Sequence, residues 1–590
     1  MGNGGRGRVI PGFLIKNFTC EMVADEFEDM LHEERGVCGW DVSRRTFKRF
    51  LDDKTLFADE KCCIVLEGVI LNKKELFERY DVSSVEDLIR EMRLVEGEYF
   101  FNAFRGSFSG AYYDGDAAAW TIWTNHYGNN AVFYYASDGK VCVGSNYWEV
   151  LRATKSQAEV SIDERAVISM LTYGGMNDEQ TYVQEIKRLL PGHYLRIAAD
   201  GVCHIGEYWH FSHNAYDLSS ASESEIIVEL DERFRKAVDR QFGKDAEYGY
   251  RHLAELSGGL DSRMISWVAH DLGYRDVVDI SFGQAGCLDE TIAKRLSTDL
   301  DNQFMFMPLD DAGFLRDLDE IIQLNFGLTV YSGTSGLRRF LSNLDTDSFG
   351  LIHSGTLGDV VIGSFLGDPT EVTSFRVGGL YSPMLMENAE AITDFSKYGN
   401  QEEYLVSTRG FLTAATSDLV RRGFSDVASP FLDLDVFEYC MSIPLEYRCG
   451  HRLYKDWILG CYPEAARYVW EKNGVPLSAG RLRTWLSGKF KVAKTLGVRG
   501  SCEVILTRLG LRGASADSLR GGMTPIDLWF ARHPGIKNAL DAKYREGIDI
   551  LVACAPDLQN MVCHAYEQGS STETLLALTA VHAVRRILGE

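Results

Sequence analysis

The residues best suited to chemistry in this chain are the seven in Leu256-Ser257-Gly258-Gly259-Leu260-Asp261-Ser262. They follow an apolar run with strand character and open an apparent helix, Met264 to His270. Paired glycines let backbone approach an anionic ligand closely. A helix N-terminus offers free N–H groups and partial positive charge, and the two serine hydroxyls add donors. A glycine turn alone is only a tight strand-to-helix connection. The whole phrase in its strand–loop–helix setting is a cradle for the phosphates of a nucleotide.

The elements around this loop fall into two rhythms. Up to about Phe211 the chain reads as strands separated by turns: Val9 to Asn17, Cys62 to Leu71, Gly106 to Tyr113, and a hairpin from Ala131–Tyr135 through Ser137-Asp138-Gly139 into Val141–Gly144. Ser161-Ile-Asp-Glu164 has the spacing of a capping box and predicts a helix start, and Leu190-Pro-Gly-His193 a turn before the strand Tyr194–Ile197. After the polar segment Ser219–Glu225 the apolar period becomes helical over Ile226–Phe242. Strands at Gly249–Leu256, Val277–Phe282, Phe304–Pro308 and Gly350–His353 then alternate with helices, the pattern of a parallel α/β sheet. From about Ser417 the chain is mainly helical, Thr574–Leu588 included.

The loop phrase resembles the pyrophosphate-binding loop of the asparagine synthetase family. Other phrases extend the likeness over nearly the whole chain: Ser281-Phe282-Gly283, Ser354-Gly355-Thr-Leu-Gly-Asp359, Ser429-Pro-Phe-Leu-Asp433 and Arg452-Leu-Tyr-Lys-Asp-Trp-Ile-Leu459. In the first half the carriers are Gly68–Leu76, Arg105–Asp114, Asn125-His-Tyr-Gly128 and Val141–Ser145. The resemblance implies an N-terminal Ntn-type αββα glutaminase-like domain over 1–212. A parallel-sheet α/β synthetase domain of ATP-pyrophosphatase type follows over 213–480, with a helical C-terminal extension over 481–590. It implies ATP held by Leu256, Ser257, Gly258, Gly259, Asp261, Ser262, Ser281, Phe282, Gly283, Ser354 and Gly355. Asp261 and Asp359 become ligands of Mg2+, and Lys455 the catalytic group facing the phosphates. The chemistry implied is adenylation of a small-molecule or peptide carboxylate, followed by transfer to ammonia or an amine. Asp289 and Glu290 stay outside this set, because acidic residues are common at helix starts anyway.

The likeness breaks at two sites. Glutaminases of the family use an N-terminal cysteine, whose place falls near Pro11. The nearest thiol, Cys20, lies beyond that strand. The oxyanion-hole asparagine aligns with Glu67, whose charge repels an oxyanion, and the aspartate that grips glutamine aligns near Ser84. These departures predict no glutamine hydrolysis. In the synthetase half, Thr356 stands where asparagine synthetases carry glutamate and lactam-forming relatives tyrosine. Val360 and Ala428 replace a glutamate and an arginine. The expectation is an AMP-forming amide ligase without its own glutaminase and with a remodelled acceptor side. An intramolecular cyclase of β-lactam or lasso-peptide type and a non-catalytic nucleotide-binding scaffold are the alternatives.

The bulk composition fits. At 590 residues the chain needs about two to four domains. A net charge of −24 argues against nucleic acid and anionic membranes as partners. The basic stretch Arg481–Arg520 reads as a solvated helical face. No apolar run is long enough to span a bilayer, Val9–Ile15 is too short for a signal peptide, and Arg6 stands where a myristoylation signal needs Ser or Thr. Thirteen scattered cysteines without a C-x-x-C pair suit a reducing compartment, so the expected location is cytoplasmic. The sequence leaves the oligomeric state open.

Overall fold

The computed structural model describes residues 9–20, 30–479, 522–554 and 556–589. The basic stretch Arg481–Arg520 lies outside them.

Twelve strands build the first half: β1 (Gly12–Lys16), β2 (Met30–Val37), β3 (Trp40–Phe47), β4 (Thr55–Ala58), β5 (Cys62–Ile70), β6 (Gly106–Asp114), β7 (Ala119–Thr124), β8 (Phe133–Ser137), β9 (Lys140–Gly144), β10 (Lys187–Arg188), β11 (His193–Ile197) and β12 (Cys203–Glu207). They form two six-stranded antiparallel sheets, in the orders β10-β8-β9-β1-β3-β2 and β12-β11-β7-β6-β5-β4. The sheets pack face to face through Phe13, Ile15, Val42, Val65, Trp120, Ile122 and Val143. The β5 strand reads as an unbroken apolar run because both its faces are covered, as expected of a strand buried on two sides. Cys63 and Val65 point into the sandwich, while Cys62, Ile64 and Leu66 point under the helices α1 (Lys73–Tyr80) and α2 (Val85–Glu96). On the far side α3 (Tyr147–Lys155) and α4 (Glu164–Tyr173) cover the other sheet. The layers are therefore helix, sheet, sheet, helix.

Local chemistry sets the turns. Asp138 and Gly139 take φ of 50° and 74° between Ser137 and Lys140, the left-handed pair that a two-residue hairpin between right-twisted strands requires. The start of α4 differs from the expectation. Asp163, not Ser161, caps it by accepting from Arg165 N–H at 2.9 Å, while Ser161 N–H donates to Glu185. Asp163 stands one residue before the helix, the position from which a side-chain oxygen reaches the free N–H groups.

The second half begins with α5 (Glu223–Tyr248), which has a full capping box between Ser222 and Glu225. A five-stranded parallel sheet follows: β13 (Arg251–Glu255), β14 (Val277–Gly283), β15 (Gln303–Pro308), β16 (Phe349–His353) and β17 (Val427–Ala428), in the order β15-β14-β13-β16-β17. The two-residue β17 is too short to leave a periodic signal in the sequence. Helices α6 (Leu260–Asp271) and α7 (Leu288–Asp299) make the crossovers next to β13 and β14. A buried triad ties α5 to the sheet: Asp245 Oδ2 lies 2.8 Å from His252 Nδ1 and 2.7 Å from His353 Nε2, and Asp245 Oδ1 accepts from Leu351 N–H. The C-terminal helices, ending in Ser571–Leu588, pack on the opposite face and share one core with α3, α4 and β8. No helix among the described residues is long and apolar enough to cross a membrane.

Candidate functional site

Parallel pairing brings three loops to one edge of the second sheet. Glu255 lies opposite Ile280 and Ala254 opposite His353, so the residues that follow β13, β14 and β16 emerge side by side. These are the loop Leu256–Ser262, the strand end Ser281–Gly283 and the loop Ser354–Asp359. The edge is the carboxyl end of the strands, where open α/β sheets bind ligands.

The first loop is held by its own side chains. Ser262 Oγ accepts from Ser257 N–H at 3.0 Å, and Ser257 Oγ accepts from Gly259 N–H at 3.1 Å. Gly259 starts α6 without a side-chain cap, so the helix presents its N-terminal N–H groups outward. Gly258 N–H donates to Asp289 Oδ1 at 3.0 Å, which gives that helix-start aspartate a part in shaping the loop. A Cβ on Gly258 would sit 2.9 Å from Glu471 Cβ, so only glycine fits. Beneath the loop the fully buried Arg263 donates to Gly258 O, Ala465 O, Tyr468 O and Val469 O at 2.7–3.3 Å, sewing α6 to residues 465–469.

Asp261 and Asp359 meet at the centre. A Cβ on Gly358 would fall 2.6 Å from Asp261 Cγ, and one on Gly355 would fall 3.0 Å from Asp261 Cβ, so two glycines let the second loop close onto the first carboxylate. Tyr454 donates to Asp261 Oδ1 at 2.7 Å. Burial, and then the negative charge of Asp359, push the Asp261 carboxyl up to about 8. Such a pair of crowded carboxylates is a donor set for a divalent cation, which relieves the repulsion that otherwise forces a proton onto one of them. Between them Leu357 is held at φ 66°, a left-handed conformation that costs a non-glycine residue about 1–3 kcal/mol.

Lys455 stands beside this pair, not on it. Its Nζ donates to Gly450 O at 2.7 Å and lies 5.8 Å from the centre of the Trp470 ring. Lys472, which the sequence reading passed over, lies 5.6 Å from the same ring and 3.4 Å from His451 Nε2. Burial and the neighbouring Lys472 both lower the pKa of Lys455. Burial and Lys472 likewise keep His451 below its usual range, against the pull of Asp359. The sequence reading missed Tyr454, Lys472 and the role of Asp289. The first lies inside the phrase it quoted. The only signal for Lys472 was a charged pair following Trp470.

Ser281, Phe282 and Gly283 close the group on the other side. Leu256 N–H donates to Ile280 O at 2.9 Å, which sets Ser281 next to the first loop. Ser281 Oγ is buried and has no hydrogen-bond partner among the described residues. Gly283 takes φ 150°, and a Cβ there would meet Met523 O at 2.8 Å. Behind Asp359 the turn Asp359–Gly363 is anchored by a buried pair. Arg448 donates to Gly363 O at 3.0 Å and to both Glu402 oxygens at 3.0 and 2.6 Å, and Ser364 Oγ also donates to Glu402.

In the first half the positions at which the sequence expects a glutaminase site are occupied as follows. Pro11 is buried at the head of β1, and its carbonyl accepts from Arg422 at 3.5 Å. Cys20 packs against the core that holds Leu14 and Cys142, on the outer face of the first sheet, away from Glu67. Glu67 shares the inner face with Cys63 and Val65, where its Oε1 accepts from Thr46 Oγ1 at 2.9 Å and lies 3.5 Å from Lys54 Nζ. Burial raises the Glu67 pKa, opposed by Lys54 and Arg44. Ser84 caps α2 by accepting from Asp87 N–H, so its hydroxyl is committed to the helix.

Residues 55–209 match a family described as "Glutamine amidotransferase domain". The chain thus carries a domain of glutamine-amidotransferase type. Comparison with curated proteins gives no match. Among solved structures, one titled as an allosteric regulatory enzyme of purine biosynthesis aligns at 10% identity and TM-score 0.24, covering 51% of this chain and 75% of that one. Glutamine phosphoribosylpyrophosphate amidotransferase from B. subtilis, complexed with ADP and GMP, aligns at 8% identity and TM-score 0.22, covering 51% and 76%. Superpositions this loose carry no functional argument.

Two outcomes follow. Purified protein should release no glutamate from glutamine, and turnover abolished by Cys20→Ala would overturn that. Glu402 is held down to about 2: burial works against its charge, but Arg448, His213 and Ser364 outweigh burial. Because its folded pKa lies below the ordinary 4.5, the stabilisation is complete above pH 4.5 and is lost as pH falls toward 2. Arg448→Met should cost about 3–5 kcal/mol, since it strands a buried carboxylate. Glu402→Gln should flatten the fall of Tm over that acid range, both read by thermal denaturation against pH.

Proposed function

We propose that this chain is an ATP-dependent, AMP-forming amide ligase of asparagine-synthetase type, whose amidotransferase-like half does not supply ammonia from glutamine. The observation that carries the reading is the meeting of Asp261 and Asp359 at the strand edge beside the uncapped start of α6. Two crowded carboxylates, free helix N–H groups and serine hydroxyls are the donor set that a magnesium nucleotide needs.

In this reading Asp261 and Asp359 hold Mg2+, which neutralises phosphate charge when bound. The N–H groups of the uncapped first turn of α6, from Leu260 on, and the hydroxyls of Ser257 and Ser262 orient the pyrophosphate portion. Ser281, Phe282 and Gly283 line the base end, and Ser354 and Gly355 the α-phosphate side. A carboxylate oxygen of the substrate attacks the α-phosphorus, and the bond to pyrophosphate breaks. An amine or ammonia then attacks the acyl carbon, loses a proton, and expels AMP to leave an amide. The chain contributes chiefly positioning and charge neutralisation. Lys455 and Lys472, both on the face of Trp470, are placed to answer negative charge that grows during each displacement. Thr356 in place of an acidic residue points to an acceptor other than that of the asparagine-forming enzymes.

The loop assignment is tested by titration calorimetry with ATP and magnesium. Asp261→Asn and Asp359→Asn should each weaken magnesium-dependent binding about tenfold to a hundredfold, the scale of one lost charged contact. Unchanged affinity in both removes the assignment. Pyrophosphate exchange over a panel of carboxylates tests the chemistry. Lys455→Ala and Lys472→Ala should keep ATP affinity but lose about a hundredfold to a thousandfold in exchange rate. A variant as active as the parent takes that lysine out of the mechanism. A parent that binds ATP yet exchanges with no acid favours a scaffold.

A further inference from the structure

The interior around Glu67, the position at which the resemblance sets an oxyanion hole, is filled here by charges that belong to both halves of the chain. Lys54 Nζ lies 2.9 Å from Asp426 Oδ2 and 3.5 Å from Glu67 Oε1, and the side chains of Lys54 and Glu67 are wholly buried. Arg49 donates to Phe424 O at 2.9 Å and to Thr346 O at 2.6 Å. Arg422 reaches back to Pro11 O. Residues 422, 424 and 426 of the second half are thus each fastened to the first.

The same short segment holds the nucleotide edge with its other side. Ser425 Oγ donates to Gly350 O at 2.6 Å, and Asp426 O accepts from Ile352 N–H at 2.9 Å. Ala428 O accepts from Ser354 N–H at 2.9 Å, and Ser429 Oγ donates to Thr356 O at 3.0 Å. One ribbon of eight residues therefore runs from the amidotransferase interior to the loop that presents Asp359.

We infer that the amidotransferase-like domain is a positioning clamp for the 354–359 loop, with Lys54 as its central positioning residue. The inference rests on the nucleotide site proposed above. Its physical basis is the cost of separating buried charges. Asp426 cannot shift without giving up its 2.9 Å pairing with Lys54 in a dry interior, so the segment, and through it the loop, is held in one low-energy position.

Hydrogen–deuterium exchange and titration with Mg2+-ATP, on the full chain, test this. Lys54→Met should speed exchange in peptides covering 349–359 and weaken Mg2+-ATP about three- to thirtyfold, the range by which coupling networks act, while peptides covering 571–588 stay protected. Lys54→Arg, which keeps the charge, should restore most of both. Ser429→Ala removes only the last contact and should loosen 354–359 by itself. It serves if Lys54→Met fails to fold. Parental exchange at 349–359 in a folded Lys54→Met, or in Ser429→Ala when that is the variant available, overturns the clamp, as does a rise spread evenly over the whole chain. A parent that binds no Mg2+-ATP defeats the proposed site, and the exchange comparison then still decides the clamp.

Discussion

A charge taken out of water must find its opposite, gather hydrogen bonds, or give up its ionisation. Each alternative costs or returns several kcal/mol. This chain buries many ionisable groups, and its organisation follows from how each is answered. Arg448 and Glu402 answer one another behind the Asp359 turn. Asp245 is answered by two imidazoles and a backbone N–H. Lys54, Glu67 and Asp426 form a three-membered balance across the two halves. Asp261 sits against the like charge of Asp359, and burial with that charge drives it toward protonation. That crowding marks a place where a cation has much to gain, whereas around Glu402 and Asp245 the protein has supplied the partners itself.

The two sheets meet this constraint differently. The antiparallel pair closes an interior that is apolar except around Glu67, where Thr46, Lys54 and Arg44 of the first half and Arg422 and Asp426 of the second gather. The parallel sheet sends its loops to one edge and leaves helix N–H groups free there. A strand edge proposed to bind charge and an interior that has filled with charge are thus built on neighbouring sheets, some of whose shared supports lie in residues 422–429.

Much of this was legible in the sequence. The loop Leu256–Ser262, the alternation of strands and helices after α5, and the glycine-rich approach of Gly355 and Gly358 all rest on local patterns that a chain carries openly. The strand-rich first half, the hairpin at Asp138-Gly139 and the misfit of Glu67 were readable for the same reason. The cap of α4 was misplaced because Ser161 and Asp163 are both good capping residues, and only the packing of Glu185 on Ser161 decides between them. Lys472, Tyr454 and Asp289 escaped because their roles come from contacts between distant segments. Arg263 reading four carbonyls is such a case: its sequence shows a helix residue, and only the fold shows what it joins.

The end of β14 has a further consequence. The N–H of Gln284 is already given to Met523 O, and Gly283 lies flat against that same carbonyl. If a nucleobase reaches this strand end, the backbone beyond the ladder has no free donor at Gln284 to offer it. The strand end also carries the buried hydroxyl of Ser281, which has no partner among the described residues and can turn to donate or to accept. A rotor of that kind serves a purine amino group and a purine carbonyl alike. Under the proposed reading, discrimination between bases would then fall to Phe282, which packs against Gly336, and so to shape more than to hydrogen-bond pattern.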